Sequence, residues 1–226
     1  MQIPVMPLRT VNGNIVTSRI TISGTSVAMT ENTMGYNDLM SSLSDVLGRD
    51  VPMLGVDVDG VRKKDLSGEL LRKIRSKHEL WLMTGIRNAG DVMDAFHGSA
   101  SRIIVPYHFT SDALLREIIE LSDSCIPALF AERDDVYAKG KKKDLRSCIR
   151  TLTNMNFRKM IVFDAAGGSV RWDGLHEFTD VLVPYAATVG DAEALHKEEF
   201  GDVVVSAADL FRNASKRSEI GSCMLP

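Results

Sequence analysis

The chain has 226 residues, 44% of them hydrophobic and 25% charged, with a formal net charge of −3. That composition is ordinary for a globular chain with a substantial core, and the mild acidity gives no general reason to expect nucleic acid as a partner. No run approaches the ~18 to 20 uninterrupted apolar residues of a membrane span. The N-terminus lacks the basic and apolar regions of a signal peptide, so no membrane association and a cytoplasmic location are expected. Cys125, Cys148 and Cys223 are scattered, odd in number and without metal-ligand spacing, which argues against a disulfide framework or a zinc site. Neither a metal nor a cofactor is expected.

In chain order, residues 2–8 read as a short apolar strand. Asn12-Gly13 and the following residues 14–22 read as a hairpin, because Asn-Gly readily takes the left-handed conformations such turns need. Residues 23–35, rich in Thr, Ser, Gly and Asn, read as a loop, and Tyr36–Leu47 as a helix stopped by Gly48. Further strands are expected at residues 53–57, 79–83, 102–105, 126–131, 160–164, 181–184 and 203–206. Helices are expected between them at residues 66–75, 89–96, 111–121, 143–155, 174–177, 191–198 and 207–213, with 66–75 the amphipathic part of a longer segment, 65–77. The basic run at 139–143 (KGKKK) reads as a solvated mobile loop, and residues 215–226 as a loose tail.

Strictly alternating strands and helices imply a parallel sheet covered by helices, since parallel strands need long crossovers. Eight such units within a single domain, residues 1–214, favour a closed α/β fold, the (β/α)8 or TIM barrel, with a hairpin after its first strand. Residues 88–105 and 188–205 align without a gap, setting Gly90-Asp91 over Gly190-Asp191 and the apolar 103–105 over 203–205. This points to an internally duplicated half-barrel.

In such a barrel, function sits where strands run into the following loops. The polar residues at those ends form one candidate rim: Asp57, Asp59, Thr84, Arg87, His108, Glu132 to Asp135, Asp164, Gly167-Gly168-Ser169, Thr188 and Ser206. Thr84-Gly85 and Gly167-Gly168-Ser169 are the local candidates for a phosphate site, since Gly-rich turns let backbone N–H groups converge on an anion. Asp57 and Asp164 are the candidate acid–base groups. Arg87 could bind an anion or pair with Asp57 or Asp59. His108 and His78 show no partner pattern, and a surface or structural role is expected for them.

Asp57-Val58-Asp59-Gly60, followed about 25 residues later by Gly85-Ile86-Arg87-Asn88, then Asp91-Val92 and the strand at 101–105, resembles a known pattern. It is similar to the second to fourth strands of the ProFAR isomerase of histidine biosynthesis and its relative, the cyclase subunit of imidazole glycerol phosphate synthase. The likeness is nearest to archaeal relatives of that family. The opening Ile3-Pro4-Val5-Met6-Pro7-Leu8-Arg9, the Asn12-Gly13 turn, Phe163-Asp164 and residues 189–195 extend it over nearly the whole chain. The resemblance implies a half-duplicated barrel, an Amadori rearrangement of an aminoaldose phosphate or a related cyclisation, two phosphate sites on opposite sides of the rim, and two catalytic aspartates at the ends of the first and fifth strands.

The sequence departs from the pattern at those positions. Pro7 and Phe130 stand where the two aspartates are expected, and neither side chain can carry a proton. Ala187-Thr188, Pro106-Tyr107 and Ser206-Ala207 replace the glycine-bearing phosphate turns, adding Cβ atoms and, at Pro106, removing a donor. Two readings from different classes stay open. One is a divergent barrel binding a small phosphorylated or anionic metabolite, with Asp57 or Asp164 supplying any chemistry and Asp59, Thr84, Gly85, Arg87, Gly167, Gly168, Ser169 and Thr188 holding the ligand. The other is a barrel without catalysis that serves a partner. An active isomerase is the less expected outcome, and homo-oligomerisation is left open.

Overall fold

The structure is a computed structural model, and it describes residues 1–31, 33–47, 51–74 and 79–213. The expected tail at 215–226, the helix stop at Gly48 and the position of His78 lie outside the described residues. β1 (Gln2–Val11) turns through Asn12 and Gly13, both left-handed at φ 48° and 81°, into β2 (Asn14–Thr17), which pairs antiparallel with it. The expected hairpin is therefore present. The loop expected at 23–35 is instead partly strand: β3 (Ile20–Ser23) and β4 (Ser26–Met29) form a second hairpin, and β5 (Met34–Gly35) pairs with β2. Their alternation is short and carried by few apolar residues, so composition alone conceals it.

α1 (Tyr36–Leu47) leads to β6 (Met53–Asp57), which passes directly into α2 (Val58–Lys63). Of the helix expected across 65–77 the described residues form only 68–73, residues 75–77 lying outside the described residues, and an unexpected short helix, α2, precedes it. Asp57 caps α2, Lys64 ends it in the left-handed region at φ 57°, and Ser67 caps α3 (Gly68–Lys73). Then follow β7 (Leu80–Met83), α4 (Ala89–His97), β8 (Arg102–Pro106), α5 (Asp112–Leu121) and β9 (Cys125–Glu132). The basic run is likewise ordered as a hairpin. β10 (Asp135–Ala138) turns at Lys139 and Gly140, φ 51° and 75°, into β11 (Lys141–Asp144), and Lys139 and Lys142 pair with Asp112 and Glu132. α6 (Leu145–Asn154), β12 (Met160–Asp164), a 3-10 helix (Trp172–Phe178), β13 (Leu182–Ala186), α7 (Val189–Lys197) and β14 (Val203–Ser206) complete the chain, with residues 207–213 helical.

Eight strands close into an all-parallel ring in the order β1, β6, β7, β8, β9, β12, β13, β14 and back to β1. This is the TIM barrel. Successive residues of each strand alternate between two separate cores. Ile3, Val5, Leu54, Val56, Trp81, Met83, Ile104, Phe130, Ile161, Phe163, Val183 and Val204 fill the lumen. Met6, Leu8, Met53, Leu82, Ile103, Leu129, Val162, Leu182 and Val205 face the helices. Ile20 and Val27 of the β3–β4 hairpin are buried against the lumen set, so that hairpin lies over the mouth of the barrel. The Gly24 amide donates to the Ala165 carbonyl at 3.0 Å and Arg19 pairs with Asp209 at 3.4 Å, fixing the hairpin at two places. Among the described residues no helix is long and apolar enough to cross a membrane.

The gapless internal match carries the same local structure in both copies. Asn88 and Thr188 cap α4 and α7, and each receives a reciprocal bond to Asp91 or Asp191. Both helices end on a left-handed residue, Ser99 at φ 79° and Glu199 at φ 70°, followed by buried Ala100 and Phe200. The amides of Ala100 and Phe200 return to the carbonyls of Ala95 and Leu195. These are the crossovers from the third to the fourth and from the seventh to the eighth barrel strand, half a turn apart.

Gly85 shows why the upper barrel depends on particular glycines. A Cβ there would enter the backbone at Lys64, Asp65 and Gly60, where the Asp65 amide bonds to the Gly60 carbonyl at 2.9 Å. Gly85→Ala is therefore expected to destabilise the protein by about 3 kcal/mol in urea denaturation. Gly201→Ala, with open space around the new methyl, should stay within about 0.5 kcal/mol; equal behaviour of the two would contradict the packing.

Candidate functional site

Strand alternation decides what the rim residues can do. Asp57 follows Met53 and Gly55 on the outward face of β6, and Asp164 follows Met160 and Val162 on the outward face of β12. Neither carboxylate therefore points along the lumen. Asp57 is 2% exposed, accepts from the Gly60 amide at 2.9 Å and from the Thr84 hydroxyl at 2.8 Å, and so joins the second strand end, the start of α2 and the third strand end. Burial holds its carboxyl above the ordinary range and Asp59 adds to the rise, against the bonds from Gly60, Thr84 and Ser67. Gly60 is required for this closeness, since its Cβ would meet both Asp57 and Thr84.

Asp164 is similarly committed. Its two oxygens accept from the amides of Ala166, Ser169 and Val170 at 2.7 to 3.1 Å and from the Ser169 hydroxyl at 2.9 Å. The turn that wraps it runs through Gly167 and Gly168, left-handed at φ 61° and 80°. These glycines line a recess of about 240 Å³ together with Asp164, Asp191 and Glu198, and none of its lining residues is a lysine or arginine. Such a wall repels an anion.

Of the remaining rim residues, Thr84, Arg87, Thr188 and Asp59 have partners within the chain, whereas the buried Ser206 hydroxyl has none among the described residues. Thr84 is fully buried, and Gly85 is packed beneath residues 64 and 65. Arg87 pairs with Asp65 at 2.8 Å and approaches Asp91 at 3.8 Å, not Asp57 or Asp59, and is mostly exposed on the outer face. The Thr188 hydroxyl exchanges bonds with Asp191, whose carboxylate also takes the Thr188 amide, so a protein carboxylate occupies that helix start. Asp91 does the same for the amides of Arg87 and Asn88. Arg87 and Asp91 line an open recess of about 640 Å³ on the outside of the barrel, and Asp59 bridges Arg9 at 3.2 Å and Arg62 at 2.8 Å.

The lumen side of the mouth is aromatic. Pro7 follows Ile3 and Val5 inward on β1, and Phe130 stands on β9. Rings step across adjacent strands from His108 to Phe130 at 4.9 Å, to Phe163 at 5.3 Å and to Tyr185 at 5.5 Å. Burial pushes the Tyr185 phenol up to about 12, so it stays neutral. The two lumen positions at which the resemblance expects aspartates, Pro7 and Phe130, thus offer no carboxylate for acid–base work.

One cavity of about 600 Å³ opens beside this aromatic floor, under the β3–β4 hairpin. Thr25 to Ala28 of the hairpin roof it, Val58, Val61 and Arg62 of α2 with Lys64 form one wall, Arg9 enters from β1, and His108, Phe109, Tyr137 and Gly140 form the other side. Arg9 and Arg62 share the one carboxylate of Asp59, while Lys64 sits over the Phe109 ring at 5.7 Å and forms no ion pair among the described residues. The wall thus carries more positive than negative charge. His108 is neutral here: burial, aided by nearby Lys64, lowers its pKa to about 4. Its Nδ1 is buried without a hydrogen-bond partner.

Arg9, Arg62, Lys64 and His108 were not singled out as ligand residues by sequence. The signal available was the basic Arg62-Lys63-Lys64 run directly after the Asp57-to-Gly60 motif and His108-Phe109 just after the fourth strand. The sequence matches no family model and no curated protein.

His108 makes stability depend on pH. The unfolded chain binds a proton at this residue near 6.5, the folded chain only near 4, so the unfolded state holds more protons between these values. Stability should fall as pH drops from 6.5 toward 4 and be insensitive to this group above that window. The decline should be shallower in His108→Asn by up to about 3 kcal/mol over the window; the opposing titration of Asp57 is common to both proteins and cancels. Parallel denaturation curves for the two would contradict the assignment.

Proposed function

We propose that the chain is a divergent barrel of the ProFAR isomerase type that binds a small phosphorylated or otherwise anionic metabolite and lacks the ancestral isomerisation. The cavity lined by Arg9, Arg62 and Lys64 is the binding site of this proposal. The observation that carries it is the charge of that wall: three cations face one carboxylate, Asp59, in a recess roofed by a hairpin. Partial exclusion of water under the hairpin strengthens attraction for an anion relative to an open surface.

The absence of isomerase chemistry is supported by the faces of the strands. Proton transfer between neighbouring carbons needs an acid and a base reaching one ligand. The lumen positions expected to supply them are Pro7 and Phe130, while Asp57 and Asp164 point outward with their oxygens engaged. Moving either aspartate onto a ligand would abandon a helix cap or a whole turn.

Thermal unfolding with phosphate, ribose phosphates and aminoimidazole nucleotides tests the binding reading, because a ligand held only by the folded chain raises its stability, by about 2.7 kcal/mol at a hundredfold excess over Kd. Stabilisation by at least one phosphorylated compound is expected. Arg62→Gln and Lys64→Asn should each weaken it roughly tenfold, and Arg87→Gln should leave it unchanged. A stabilisation insensitive to the first two but lost in Gly168→Ala would relocate the site. In a direct assay with ProFAR, no turnover is expected; turnover abolished by Asp57→Asn would refute the loss of isomerase chemistry.

A further inference from the structure

The internal duplication sets two recesses half a turn apart on the outside of the barrel. One, open and about 640 Å³, lies between α4 and the segment after β6; the other, about 240 Å³, lies between α7 and the segment after β12. Positions 91 and 191, 94 and 194, and 98 and 198 of the gapless match line both, as do 87 and 187 just ahead of it. The first recess supplies its own cation, because the Arg87 guanidinium lies 2.8 Å from Asp65 and 3.8 Å from Asp91. At the equivalent place the second has Ala187, whose side chain ends at Cβ. Asp191 therefore stands in the duplicated position without the guanidinium that Asp91 has.

We infer that the second recess binds a small organic cation, a guanidinium of the kind that Arg87 provides in the other half. Asp164, Asp191 and Glu198 border it, no lysine or arginine does, and none of the three forms an ion pair among the described residues. Asp191 is exposed, so its carboxylate is the one a ligand meets, as Asp91 meets Arg87. The Asp164 oxygens are held by backbone amides and the Ser169 hydroxyl, and one Glu198 oxygen is buried without a hydrogen-bond partner. These two side chains act by charge across the recess and not by contact. Trp172 and Tyr185, both partly exposed, add aromatic walls, whose faces attract a cation. The charge that repels a phosphate here favours the opposite ligand. A cation in this recess and an anion under the hairpin occupy separate places, so neither reading depends on the other.

Ethylguanidinium and its neutral counterpart N-ethylurea, titrated calorimetrically against the full chain at low ionic strength, isolate the contribution of charge. The wild type should bind ethylguanidinium at least about fivefold more tightly. Ala187→Arg, at an exposed position, sets a guanidinium beside Asp191 as in the other half and should remove that preference. Glu198→Gln should weaken binding of the cation about threefold. Glu117→Gln, an equal change of net charge at an exposed position of α5 outside the recess, should leave it as in the wild type. Equal affinities for the two compounds in the wild type, a preference that persists in Ala187→Arg, or equal losses in Glu117→Gln and Glu198→Gln would overturn the cation site. Binding of neither compound would overturn it as well, and the anion cavity would stand in every case.

Discussion

The Asp57 carboxylate, shared between the Gly60 amide and the Thr84 hydroxyl, ties the second barrel strand to the third and starts the helix between them. Gly60 and Gly85 exist in their places because this joint leaves no room for a Cβ. The pair of motifs that carries the sequence resemblance, Asp57 to Gly60 with Thr84 to Arg87, is thus a structural joint on the outer side of the strands. It specifies how two strand ends and a short helix meet, and it carries that information whether or not a reaction takes place above it.

With the polar strand ends engaged outward, the mouth is left to what points inward. There the chain has Pro7, Phe130, Phe163 and Tyr185, a floor on which the β3–β4 hairpin can rest its own apolar residues Ile20 and Val27. A hairpin seated this way covers the centre of the barrel. The accessible space is displaced toward α2, where Arg9, Arg62 and Lys64 collect, and His108 marks the boundary between the aromatic floor and the cationic wall. Charge and apolar surface are therefore separated across one cavity, which suits a ligand with one anionic end.

Much of the architecture is legible in the sequence because strand and helix periods differ and repeat eight times. The duplicated crossover is legible as well, since Asn88 with Asp91 and Thr188 with Asp191 encode the same cap. The faces of the strands are not. Parallel strands buried on both sides carry apolar residues at every position, so Met53 to Val56 gives no sign of which side is lumen, and the direction of Asp57 stays hidden. The helix at 58–63 is missed for a related reason: its cap, Asp57, reads equally as a catalytic strand end. The two short hairpins are hidden because their polar composition imitates loops, although Lys139-Gly140 takes the same left-handed turn as Asn12-Gly13.

The proposed anion site is the cationic cavity beneath the hairpin and not the carboxylate rim. A crystal structure of the protein grown with phosphate measures this most directly. The account predicts an anion within hydrogen-bonding reach of Arg62 or Lys64, with Asp57 still bound to Gly60 and Thr84. An anion seated instead on Gly167-Gly168 or at the amide of Thr188, with the cationic wall empty, would contradict it.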